Sequence, residues 1–103
     1  MARKPESVFR ATYVQPFLKT LQNMEPFPIQ QVAIVGDPDY LLCILGRFVA
    51  LELKALDGEL SAMQIHRLAR VEKCGGVALV ADPKNWSQIK NKLRNLDEGI
   101  DND

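Results

Sequence analysis

The chain has 103 residues, 47% of them hydrophobic and 25% charged, with a formal charge of zero. These totals predict one soluble globular domain with a modest core. No apolar run approaches the ~20 residues that span a bilayer, and the basic N-terminus lacks the apolar region of a signal peptide. The expectation is therefore no membrane partner and a cytoplasmic location (the host cytoplasm for a viral protein). Cys43 and Cys74 form no CxxC and the chain has a single His, which argues against a zinc site or disulfide framework and for buried free thiols.

The neutral total is unevenly distributed. Residues 61–96 hold Arg67, Arg70, Lys73, Lys84, Lys90, Lys92 and Arg94 against Glu72 and Asp82, while residues 97–103 hold four acids and no base. The bland reading is solvated helix faces and a frayed end; the alternative is a surface that binds an anionic polymer. Residues 1–96 are expected to form the single domain and 97–103 an acidic, disordered tail.

In chain order, residues 5–22 predict a helix. Pro5 suits a first turn, Phe9, Tyr13, Phe17 and Leu21 recur every four residues, and Pro16 should kink or split it. Residues 23–28 predict a loop because of their two prolines. Residues 29–35 predict a strand, broken at Gly36-Asp37-Pro38. Residues 39–45 and 48–55 are apolar runs joined by Gly46-Arg47, a β-hairpin signature. Ser61-Ala-Met-Gln64 has the form of a capping box opening a helix to about Lys73. Gly75-Gly76 stops that helix, and Val77–Ala81 predicts a buried strand. Asp82 at the N-cap and Pro83 behind it should open a last helix with Trp86, Ile89, Leu93 and Leu96 as its apolar stripe. The order α-β-β-β-α-β-α, with a hairpin followed by a β-α-β crossover, predicts an α/β fold with a mixed sheet flanked by helices.

The second hairpin strand carries Glu52 and Lys54 on one face, because side chains alternate along a strand. With Gly46-Arg47 as a two-residue loop, Leu45 opposes Phe48, Leu41 opposes Glu52 and Asp39 opposes Lys54. All three charges then share a face, and an odd loop would separate them. Two carboxylates can hold a hard cation such as Mg2+ or Mn2+ through oxygen. A bound ion clamps a phosphate oxygen, and the ammonium can stabilise transition-state charge. The set fits phosphodiester hydrolysis. The plain alternative is a cross-strand Asp39–Lys54 ion pair with Glu52 at a solvated rim. Against it, the surroundings are apolar, where burying charge is costly.

Gly36-Asp37-Pro38-Asp39, then Glu52-Leu53-Lys54, then Gln64 at the next helix start, resembles the PD-(D/E)XK nuclease superfamily. More narrowly, residues 36 to about 81 are similar to the virus-type replication-repair nuclease module (VRR-NUC), which is close to Holliday-junction resolvases. The resemblance implies a restriction-endonuclease-like αβββαβ core. It implies Asp39, Glu52 and the Leu53 carbonyl as metal ligands for Mg2+ or Mn2+, and Lys54 as the catalytic lysine. Gln64 would contact the metal-site water or the DNA backbone. The acid that such families place early in the first helix matches Glu6. Asp37 reads as a turn residue rather than a supporting acid. Gln64 is equally explained as the capping-box residue. His66 reads as an exposed residue rather than a general base, and Trp86 as core rather than a base-stacking platform.

The expected activity is a metal-dependent, structure-selective DNA endonuclease of replication, repair or recombination. Arg67, Arg70, Lys73 and the last-helix lysines would contact phosphates. A homodimer acting on branched or flapped DNA is expected, because so short a chain offers little surface to a duplex. The rival is a non-cleaving DNA-binding or protein-interaction module of the same fold.

Overall fold

The computed structural model describes residues 5–29 and 38–100. Its first helix is interrupted but continuous: α1 (Pro5–Phe9), a π-helical turn (Arg10–Val14) and α2 (Gln15–Leu18). The Gln15 N–H donates to the Arg10 carbonyl, five residues back. Pro16 explains the wide turn. It lacks an N–H, and in a regular α-helix its ring would strike the carbonyl four residues earlier. The helix therefore runs through Pro16 and ends at Leu18 rather than near residue 22. The wide turn also shifts the buried stripe by one residue. Val14 is fully buried beside Phe9, Phe17 and Leu18, whereas Tyr13, expected in the stripe, is 55% exposed.

The next segment corrects the sequence reading. Met24–Pro28 is a strand, β1, not a loop. Among the described residues it pairs only with β2 (Tyr40–Ile44) and lies at a sheet edge, where a proline removes no bond from a central ladder. The Ile29 N–H continues the pairing onto the Asp39 carbonyl at 2.8 Å. Beyond Ile29, the strand expected at 29–35 lies outside the described residues, as do Gly36 and Asp37.

β2 and β3 (Arg47–Leu53) form the expected antiparallel hairpin, but the turn is Leu45-Gly46 rather than Gly46-Arg47. Leu45 and Gly46 have φ of 49° and 82°, the positive pair of a type I′ turn. Ile44 thus opposes Arg47, Leu41 opposes Ala50 and Tyr40 opposes Leu51. The expected pairings Leu41–Glu52 and Asp39–Lys54 are replaced. The register moved by an even step, so every side chain keeps its face. One step beyond Tyr40–Leu51, Asp39 comes across from Glu52.

α3 (Ala62–Lys73) carries the chain to β4 (Val77–Ala81), which runs parallel to β3. Among the described residues the result is one mixed four-stranded sheet in the order β1-β2-β3-β4, an α/β fold. The capping box at Ser61 is complete: its hydroxyl accepts the Gln64 N–H, and Gln64 Oε1 accepts the Ser61 N–H. α4 (Trp86–Asp97) starts later than expected. Asp82 Oδ1 accepts the N–H groups of Lys84 and Asn85, closing a turn instead of capping the helix, and Asn85 is the N-cap.

Tyr40, Leu42, Ile44, Val49, Leu51 and Leu53 point to one side of the sheet, against Phe9, Val14, Phe17, Leu18, Trp86, Ile89 and Leu93. Trp86 is core, edge-on to Phe9 and Phe17 at 5.5 Å each. Leu68 of α3 is buried on the other side, where Leu41, Phe48 and Ala50 share a small hollow with Leu68 and Val71. The thiols are free as expected but exposed rather than buried. Cys43 falls on the alternate, α3-side face of β2, and Cys74 is the C-cap of α3. Asp97, assigned from sequence to the acidic tail, is buried in the last turn of α4. Its carboxylate accepts the N–H groups of Gln22 (3.1 Å) and Asn23 (2.6 Å).

Candidate active site at the open end of the hairpin

The start of β2 and the end of β3 bring Asp39, Glu52 and Lys54 to one end of the sheet. Glu52 is 3% exposed, on the α3 side of a strand whose other face is core. Gln64 Nε2 donates to Glu52 Oε2 at 2.8 Å, and Lys54 Nζ lies 3.7 Å from the same oxygen. Asp39 Oδ2 accepts the Leu53 N–H at 2.7 Å, which fixes the carboxylate against the end of β3. Asp39 Oδ1 accepts from Arg10 Nη2 at 2.7 Å. Arg10 in turn lies 3.9 Å from Glu6 Oε2, one helical turn back.

The electrostatics follow from burial. Loss of water, reinforced by the negative charge of Asp39, pushes the Glu52 carboxyl up to about 8, against the pull of Lys54. A hydrogen bond with Asp39 and the charge of Glu6 act in the same upward direction. Glu52 is therefore largely protonated at neutral pH in the cation-free protein.

The residues singled out from sequence as catalytic thus converge. Asp39, Glu52, Lys54 and Gln64 meet directly, and Glu6 joins through Arg10. Gln64 serves the cap and Glu52 at once, because its amide presents oxygen to one and nitrogen to the other. The plain ion-pair alternative takes another form here: Glu52 is not at a solvated rim, and Asp39 takes Arg10 as its ionic partner. Arg10 is the member that sequence reasoning missed. Its signal was the spacing to Glu6, the i,i+4 neighbour on a helix face.

Among the described residues no group of three or more His, Cys, Asp or Glu is placed to hold a metal ion. The two carboxylates and the Leu53 carbonyl are nonetheless hard oxygen donors of the kind Mg2+ and Mn2+ take. A dication would also relieve the mutual repulsion that raises Glu52. Donor chemistry and charge fit such an ion.

The basic residues divide between the two sides of the sheet. Arg67, Arg70 and Lys73 are exposed on α3, and Arg67 and Arg70 line a groove with His66 and Phe48. Lys90 and Arg94 lie on α4, in the layer across the sheet, over the rings of Trp86 (6.0 Å) and Phe17 (5.1 Å). The run of positive charge in the sequence is therefore not one continuous patch. His66 is exposed, as expected.

Among the described residues no helix is long and apolar enough to cross a membrane. Compared with protein-family models, curated proteins and solved structures, the chain gives no match.

Proposed function

We propose that the protein is a divalent-cation-dependent nuclease that hydrolyses DNA phosphodiesters, a structure-selective endonuclease of replication, repair or recombination. One observation carries this reading. Glu52 is 3% exposed in an apolar strand, beside a second carboxylate that further disfavours its charge. Burial of this kind costs free energy that the Gln64 and Lys54 contacts offset only in part. The element order, a helix, three antiparallel strands, a helix and a parallel strand, is compatible with the αβββαβ core that the Asp39…Glu52-x-Lys54 pattern suggests.

In this reading Asp39, Glu52 and the Leu53 carbonyl supply the oxygen donors for Mg2+ or Mn2+. When bound, the ion supplies charge stabilisation to a phosphate oxygen. Lys54, 3.7 Å from Glu52, orients the attacking water or holds a second phosphate oxygen. Water loses a proton as its oxygen bonds to phosphorus. One ester P–O bond breaks and its leaving oxygen takes up a proton in exchange for the one the water gives up, leaving a phosphomonoester and a hydroxyl. Gln64 holds Glu52 in place, and Arg67, Arg70 and Lys73 contact flanking phosphates. The partner is DNA, branched or flapped, and the acting form is a homodimer. Pro26 and Pro28 remove two N–H donors from strand β1, so that edge is a poor site for a sheet-extending dimer.

The test is incubation with plasmid and branched DNA, with Mg2+ or Mn2+, for the native chain, Lys54→Ala and Asp39→Ala. Cation-dependent cutting by the native chain alone is expected, and absence of any cutting would sink the proposal. One observation favours a second reading, a non-cleaving DNA-binding or protein-interaction module. Both Asp39 oxygens are already engaged, by Arg10 and by the Leu53 N–H. Binding without cutting in the same assay would select it.

A further inference from the structure

Resting on the nuclease reading, we infer that Arg10 is a resident counter-cation of the carboxylate site: it holds Asp39 until a divalent ion arrives, then yields Oδ1 and turns to the DNA phosphate. Arg10 is a positioning residue here, and it competes with the ion for one named atom.

The geometry carries the argument. Asp39 Oδ2 accepts the neutral Leu53 N–H, whereas Oδ1 already carries a cationic partner, Arg10 Nη2, at 2.7 Å. A charge-assisted hydrogen bond of that length takes up one lone pair of Oδ1, and the guanidinium charge repels a dication at the same place.

Arg10 is also poorly anchored. Among the described residues its Nε is buried with no hydrogen-bond partner, and its side chain keeps 35% exposure. Its further contacts are a 3.9 Å ion pair with Glu6 and a 5.7 Å position over the Tyr40 ring. A buried donor left unmade is a cost of this pose, so leaving it sacrifices less than leaving a fully bonded one. The residue also opens the π turn that Pro16 imposes, an irregularity frequent at functional sites.

Charge counting agrees. In the ion-bound form, where Glu52 serves as a carboxylate, Glu6, Asp39 and Glu52 outweigh Arg10 and Lys54 by one negative charge. A dication turns that into one surplus positive charge, the complement of a single phosphodiester. Arg10, released from Asp39, is the group placed to meet it.

The test is Mn2+ titration calorimetry on the full chain without DNA, for the native protein, Arg10→Gln and Arg10→Lys, each checked for folding by circular dichroism. Arg10→Gln is expected to bind Mn2+ about 10-fold tighter, as the loss of one charge-assisted competitor implies. Arg10→Lys, which keeps the charge but not the planar fork, should fall between. Equal or weaker Mn2+ binding by Arg10→Gln, with the native chain binding normally, overturns the inference and leaves the nuclease reading standing. If Arg10→Gln does not fold, Arg10→Lys decides on the same criterion. No Mn2+ binding by any of the three proteins overturns both. In a Lys54→Ala background that blocks cleavage, Mn2+ should raise DNA affinity less once Arg10→Gln is added. An equal gain would show that Arg10 does not turn to the phosphate.

Discussion

Gln64 holds two structures together: its Oε1 accepts the Ser61 N–H at 2.9 Å while its Nε2 donates to Glu52 Oε2 at 2.8 Å. The helix cap and the buried carboxylate therefore depend on one side chain, and substitutions can separate the two roles. Gln64→Ala removes the cap acceptor and leaves a Glu52 oxygen short of a donor, for a cost of about 2 kcal/mol in urea unfolding. Gln64→Glu keeps an acceptor for the cap but sets a carboxylate against Glu52. Its deficit should grow as pH rises through about 8, where Glu52 loses its proton. The Gln64→Ala deficit should stay nearly flat over that range. A flat Gln64→Glu deficit would mean that Gln64 acts on the helix alone.

Glu52 itself makes stability depend on pH. Its folded pKa, about 8, lies above its ordinary 4.5, so the folded state holds a proton that the unfolded state releases. The contribution is fully present below pH 4.5 and is lost as pH rises through 8. Urea unfolding of the native chain should show stability falling across that window relative to Glu52→Gln, which has no proton to lose. Millimolar Mn2+ should restore part of the difference at the alkaline end, because an ion that binds the folded form stabilises it by mass action. Parallel curves for the two proteins would place the Glu52 pKa near its ordinary value.

Features set by local chemistry were legible in the sequence: the Ser61–Gln64 capping box, the hairpin, the Val77–Ala81 strand and the Trp86-led stripe. Features set by a choice between near-equal alternatives were not. Gly46-Arg47 and Leu45-Gly46 are both two-residue turns, and pairing along the whole hairpin selects the second. Both turns have the same parity, so Asp39 and Glu52 share a face in either register. β1 was hidden because prolines usually end strands, and only its edge position makes them tolerable. The π turn changed which residue of the first helix faces the core, so the four-residue period misplaced Tyr13. Arg10 was missed because no strand or motif contains it; it reaches Asp39 across 29 residues of chain.

The split of the basic residues between layers predicts unequal effects on DNA binding. Replacing Arg67, Arg70 or Lys73 by Gln should each lower the slope of log affinity against log salt by about 0.9 where a phosphate contact is lost. All three side chains are exposed on α3, the helix that delivers Gln64 to Glu52. Lys90→Gln should leave the slope unchanged, because Lys90 lies across the sheet over Trp86. Fluorescence anisotropy with labelled DNA over a salt series measures this. Equal slopes for all four variants would put the DNA elsewhere.

Leu45 tests the turn on which the site's geometry depends. Its φ of 49° places a branched, 53% exposed side chain in the left-handed region. That conformation costs an ordinary residue roughly 1–2 kcal/mol, and Asn tolerates it far better. The Leu45 backbone N–H donates to the Asn23 carbonyl at 3.0 Å, and substitution preserves that bond. Leu45→Asn should therefore stabilise the protein by about 0.5–1 kcal/mol, read as a higher urea midpoint with unchanged slope. Gly46→Ala, at φ 82°, should cost a similar amount. If the turn were instead Gly46-Arg47, Leu45 would end a strand in extended conformation, and Asn there would lose strand propensity and destabilise. The sign of the Leu45→Asn effect thus reports the register that sets Asp39 opposite Glu52.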